Sequence, residues 1–227
     1  MKSHKRSFVA RLIRWAIALV VLIHLSLATE LLVLRYINPI STGVQVQRRV
    51  ESWFKKTAYH KRRTFVPLSK ISIQLQHAVI SAEDGRFYQH HGIDWAETQK
   101  VFYDSLDDPD SARGASTITQ QLVKNLFFTT HRNPIRKVME YTAAPMADYI
   151  LGKRRVLELY LNEAEWGPGI WGAEEAAKYH YKTTAARLDR EQSSRLAACL
   201  PSPLRRKPAF MNDYSAIILQ RMSKAGW

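Results

Sequence analysis

A chain of 227 residues can bury one sizeable core, which leaves no room for two separate enzymes, and its 46% hydrophobic content is that of a globular protein. Its 34 Lys and Arg against 20 Asp and Glu give a net charge of +14, which points to an anionic partner: nucleic acid, anionic lipid or a phosphorylated substrate. The single cysteine, Cys199, excludes an intramolecular disulfide, and its apolar setting between Leu196 and Leu200 predicts a buried, inert thiol.

Residues 1–14 form a basic N-terminus carrying Lys2, Lys5, Arg6, Arg11 and Arg14. The following stretch, Trp15 to Leu34, is interrupted only by His24 and Glu30 and has about the length a helix needs to cross a bilayer core of roughly 30 Å. The positive-inside rule then places the N-terminus in the cytoplasm and the rest of the chain outside it. A cleaved signal peptide is the rival, but the apolar run is long and no small-x-small cleavage site follows it. Residues 35–64 read as a juxtamembrane connector, in which Trp53, Phe54 and Tyr59 stand among Lys55, Lys56, Lys61, Arg62 and Arg63. Such a mixture suits a segment lying along the lipid surface, or a solvated basic loop. Ser52-x-x-Lys55 has the letters of an acylation motif, but no Lys-Thr-Gly follows and we treat it as chance.

From residue 65 to 227 the pattern is that of one mainly α domain. An apolar run from Ala78 delivers the adjacent carboxylates Glu83 and Asp84. If the helix continues, Phe87 and His90 share a side with Glu83, placing that carboxylate beside a ring and an imidazole. Partial desolvation of this kind raises a carboxylate pKa toward the working pH and suits a general base. Ser116 is a plausible N-cap for the helix that follows, up to Phe128. Asn133 and Pro134 start the next helix, which Gly152 ends and Pro145 kinks. A short helix covers Lys153 to Asn162. A glycine-rich loop runs from Trp166 to Gly172, and further helices cover Ala173 to Tyr181, a run capped by Asp189 and Gln192, and Tyr214 to Lys224.

Gly114 to Gln121 concentrates hydroxyls and amides at a helix start, where backbone N–H groups already favour an anion, and Lys124 follows one turn later. Arg132, Arg136 and Lys137 add cations just before Glu140. The bland readings are a capped helix with a polar face and a surface salt bridge between Arg136 and Glu140. Taken with Glu83, however, Glu140 completes a two-carboxylate arrangement of the kind that acts at anomeric carbons, and the cations suit a phosphate leaving group. Glycosyl transfer from a sugar diphosphate therefore explains more than hydrolysis does.

Glu83-Asp84-x-x-Phe87-x-x-His90-x-Gly92, Gly114-x-Ser116-Thr-Ile-Thr-Gln-Gln121, Arg136-Lys137-x-x-Glu140 and Lys153-x-x-Val-Leu-Glu158-x-Tyr160-Leu-Asn162 resemble, in order and spacing, four motifs of the peptidoglycan glycosyltransferases, glycosyltransferase family 51. With no transpeptidase domain in the chain, the resemblance is to the monofunctional, biosynthetic members. It implies a lysozyme-like helical domain behind a single N-terminal transmembrane helix, a periplasmic catalytic domain on a bacterial inner membrane, and a role in cell-wall synthesis. The implied reaction polymerises lipid II into β-1,4 glycan strands with release of undecaprenyl diphosphate.

By motif match, the resemblance implies Glu83 as the base at the acceptor 4-hydroxyl and Glu140 as support on the donor side. Lys124, Arg132, Arg136 and Lys137 fall near the diphosphate, and Ser116, Gln120 and Gln121 line the cleft. No dedicated metal ligand set is visible, although a divalent ion, Mg or Mn, could assist the diphosphate. The implied partners are lipid II, the growing glycan strand, membrane lipids and proteins of wall synthesis or division; nucleic acid is not among them. Pro145, Asp148 and His180-Tyr181 depart from the family pattern and put local helix geometry in doubt. Two other readings stand beside this one: a lytic enzyme of related fold, and a membrane-tethered basic scaffold.

Overall fold

A computed structural model describes residues 2–56, 58–107, 114–131 and 133–227. Helix α1, Lys2–Leu34, contains an apolar stretch, Phe8–Leu34, long enough to cross a membrane, its most apolar 18 residues having a mean hydropathy of 2.4. Most of its side chains face outward, as lipid contact requires, but Leu27 and Leu31 are buried against the domain.

The connector is neither a free loop nor a surface-lying segment throughout. Thr42 and Gln45 form a capping box that starts helix α2, Gly43–Phe54. A Cβ on Gly43 would stand 2.5 Å from the Phe128 carbonyl oxygen, so only glycine permits this approach. Arg48 pairs with Glu165, and Glu163 is held by both Gln45 and Arg63, fixing the connector to the body of the domain. Trp53 and Phe54 remain exposed at the end of α2. Strand β1, Arg62–Arg63, then pairs in parallel with β3, Ile170–Trp171, which pairs antiparallel with β2, Glu165–Gly167, so the glycine-rich loop is a small hairpin.

The remaining helices are α3, Ile73–Glu83; α4, Trp95–Asp107; α5, Ile118–Phe127; α6, Pro134–Glu163; α7, Ala173–Tyr181; α8, Arg190–Ala197; and α9, Asn212–Lys224. Leu75, Val79, Ile118, Leu122, Leu157, Leu161, Leu196 and Ile218 interlock as the core. Each fully buried side chain of this size contributes about 1.5–3 kcal/mol. Cys199 is buried as expected, and burial pushes its thiol up to about 11.

Two local expectations need correction. The N-cap of α5 is Thr117, in a capping box with Gln120, and not Ser116. Pro145 lies within α6 without non-helical backbone, whereas the break expected at Gly152 is present, with φ 74° and ψ 155°. The exposed flank of α1 is also tied to α6. His24 shares a hydrogen bond with Thr142 Oγ1 at 2.9 Å, Arg35 donates to the Ile150 carbonyl, and Arg155 donates to the carbonyls of Leu34 and Ile37.

Candidate active site

Ser72 caps the start of α3, and burial of Leu75, Ala78 and Val79 fixes how the helix sits. The helix stops at Glu83 because Asp84 leaves helical geometry, at φ −161° and ψ 71°. Asp84 is then spent on architecture: its carboxylate accepts from the Ile118 N–H at 3.0 Å and from His90 Nε2 at 2.9 Å, joining the end of α3 to the start of α5. Phe87 and His90 therefore do not share a helix face with Glu83; Phe87 is buried in the core and His90 serves Asp84.

Glu83 lines a cleft of about 580 Å³ together with Asp84, Ser116, Gln121, Arg206 and Arg221. Its Oε2 accepts from Gln121 Nε2 at 2.6 Å, and Gln121 Oε1 accepts in turn from the Tyr160 hydroxyl at 2.9 Å. Oε1 of Glu83 is shielded from solvent and has no hydrogen-bond partner among the described residues. Burial pushes the Glu83 carboxyl above the usual range, and the Gln121 bond and the charges of Lys124 and Arg206 oppose that rise. The result is a desolvated carboxylate with unused acceptor capacity, which is what a general base requires.

Glu140 is treated differently. It projects from the first turns of α6, is 3% exposed, and both its oxygens are engaged, one by Arg136 and the other by Lys137 at 3.4 Å. Lys137 also donates to Ser116 Oγ at 2.8 Å, bringing the cations of α6 to the start of α5. Lys124 stands in the field of Glu140 and Glu83. Burial pulls its pKa down, the two carboxylates counteract this, and Arg136 and Lys137 add to the depression. Lys124, Arg136, Lys137 and Glu140 thus form one electrostatic group bordering the cleft at Ser116. Arg132 lies outside the described residues.

Gln120, expected to line the cleft, is fully buried and completes the Thr117 capping box. The opposite wall of the cleft was not anticipated. Arg206 anchors on the Ala198 carbonyl and stacks over Tyr214, while Arg221 reaches the Ser81 carbonyl at 3.4 Å. No local pattern links these C-terminal cations to Glu83; only the packing of α8 and α9 on α3 does so. Asp84, His90 and Asp94 bring potential metal-ligating atoms within 4.8 Å of one another. Both aspartates are already satisfied by protein donors, Asp94 by Arg86 and the Glu97 N–H, so this trio does not fit a metal centre.

The sequence pattern of the family described as Transglycosylase matches residues 49–223. A biosynthetic peptidoglycan transglycosylase of Pseudomonas entomophila is 40% identical over 196 residues, covering 86% of this chain and 80% of the relative. One from Ectopseudomonas mendocina is 38% identical over 227 residues, covering 97% and 91%, and one from Bordetella avium is 44% identical over 167 residues, covering 70% of each. With most of its length matched by the family pattern and by these relatives, the chain belongs to the transglycosylase family.

Proposed function

We propose that this protein is a peptidoglycan glycosyltransferase that polymerises lipid II into β-1,4 glycan strands. The observation that carries the site assignment is the pairing of one desolvated, under-bonded carboxylate, Glu83, with a bordering group of cations. In the reaction, Glu83 takes the proton of the acceptor's 4-hydroxyl as that oxygen attacks C1 of the donor sugar. The bond from C1 to the diphosphate breaks, and its electron pair leaves with undecaprenyl diphosphate. Lys124, Arg136 and Lys137 stabilise the charge that develops on the departing group, and Glu140 holds the two α6 cations in position.

A lytic reaction has no diphosphate to stabilise, so the cations Lys124, Arg136 and Lys137 gathered beside the cleft favour transfer from a diphosphate donor. Helix α1 serves as a single-pass anchor in the inner membrane, with the N-terminus cytoplasmic and the catalytic domain periplasmic. Lipid II and the growing strand are its substrates, presented from the same membrane. The test is polymerisation of labelled lipid II by detergent-solubilised protein, wild type beside Glu83→Gln. Strands from wild type and none from the variant are expected; shortening of preformed glycan by wild type would overturn the assignment.

A further inference from the structure

We propose that Tyr160 is a positioning residue that fixes the orientation of the Gln121 amide and so keeps Glu83 a proton acceptor; this rests on the reading of Glu83 as the base. A glutamine side chain has one accepting end and one donating end. Here the Tyr160 hydroxyl donates to Gln121 Oε1 at 2.9 Å, which leaves Nε2 to donate to Glu83 Oε2 at 2.6 Å. That arrangement favours the ionised carboxylate.

Turning the amide over would set Oε1 against Glu83, a contact satisfactory only for a protonated carboxyl. It would also set Nε2 against Tyr160, whose own proton would then have no acceptor. Tyr160 is 1% exposed, and Gln121 is the one hydrogen-bond partner of its hydroxyl among the described residues. Stranding that buried donor disfavours the turned amide. Burial and the neighbouring charges of Glu83 and Asp84 also push the Tyr160 hydroxyl well above its usual range, so it remains a donor.

The other charged groups around Glu83 are Lys124 from α5, Arg206 from the segment after α8, Arg221 of α9 in the cleft wall, and Asp84 beside it in the chain. Their charges do not depend on which way the amide points. They set the level from which Glu83 titrates, and the Tyr160 hydroxyl selects the amide state that holds it below that level.

The test is the pH dependence of kcat/KM for lipid II polymerisation by the full-length enzyme in detergent. Wild type is compared with Tyr160→Phe and with enzyme carrying 3-fluorotyrosine at position 160. The Phe variant should move the acid limb up by about one pH unit, giving roughly a tenfold loss below the limb and a rate close to wild type above it. Fluorotyrosine, a stronger donor of the same shape, should move the limb the other way. An equal loss at every pH, or an unmoved limb in both, overturns the proposal.

If Tyr160→Phe fails to give a cooperative melt, the fluorotyrosine enzyme decides alone: a lowered limb supports the proposal and an unchanged one overturns it. Glu83→Gln is assayed in parallel. Activity retained there would remove the base assignment itself, whereas an inactive Glu83→Gln with unmoved limbs removes only the role of Tyr160.

Discussion

Glu83 and Glu140 are the same residue type, both withdrawn from water near the same cleft, and their surroundings make them chemical opposites. Glu83, at the last position of α3, receives one neutral amide bond and keeps an oxygen without a partner. Glu140, in α6, has a cation on each oxygen. Burial raises the cost of charge at both positions; what separates them is whether the compensation is complete. A carboxylate left partly uncompensated is a base, and one fully paired is a counter-ion that organises its partners.

The most direct way to break this contrast is to neutralise each in turn. Glu83→Gln should lower the polymerisation rate by about 10³-fold, or some 4 kcal/mol in barrier, with the fold intact by circular dichroism. Glu140→Gln should act chiefly on stability, costing about 3 kcal/mol in urea unfolding because Arg136 and Lys137 lose their buried anion. Equal effects on rate and stability at the two positions would abolish the distinction. Asp84→Asn separates architecture from chemistry: it should cost about 1–2 kcal/mol by weakening the bonds to His90 and the Ile118 N–H, with a smaller effect on rate than Glu83→Gln.

The smallest expected effect has the most diagnostic sign. A carboxyl whose folded pKa lies above its unfolded value binds more protons in the native state, so its ionisation weakens folding as pH rises. Glu83→Gln should therefore raise Tm at pH 7, and the gain should fade as pH drops from the raised native value of Glu83 down to the ordinary carboxylate range. A variant that is inactive yet more stable at neutral pH would be the sharpest form of the comparison.

Much of this site is legible in sequence because its parts are local. Glu83, Ser116, Gln121, Lys124 and the Arg136–Glu140 pair sit at helix ends or on a single helix, where spacing predicts neighbours. The cap of α5 falls one residue after Ser116, where the Thr117 hydroxyl accepts from the Gln120 N–H and also donates to the Gly92 carbonyl at 2.6 Å. Periodicity failed after Glu83 because it assumes a helix that Asp84 terminates in order to cap α5. Arg206, Tyr214 and Arg221 were invisible because their relation to Glu83 exists only through tertiary packing. The Gly92 backbone lies against the Ala144–Pro145 peptide. A Cβ at Gly92 would stand 2.5 Å from the Ala144 oxygen, and φ there is +85°.

The clasp between α1 and α6 changes what the anchor is. A flexible leash would let the domain sample every attitude to the bilayer, whereas hydrogen bonds from His24, Arg35 and Arg155 make α1 a fixed mount for the helix that carries Glu140. A transmembrane helix tilts to match the thickness of its bilayer. If α1 spans a bilayer, its tilt is carried to the domain clasped to it, and with it the attitude of the cleft to the membrane surface.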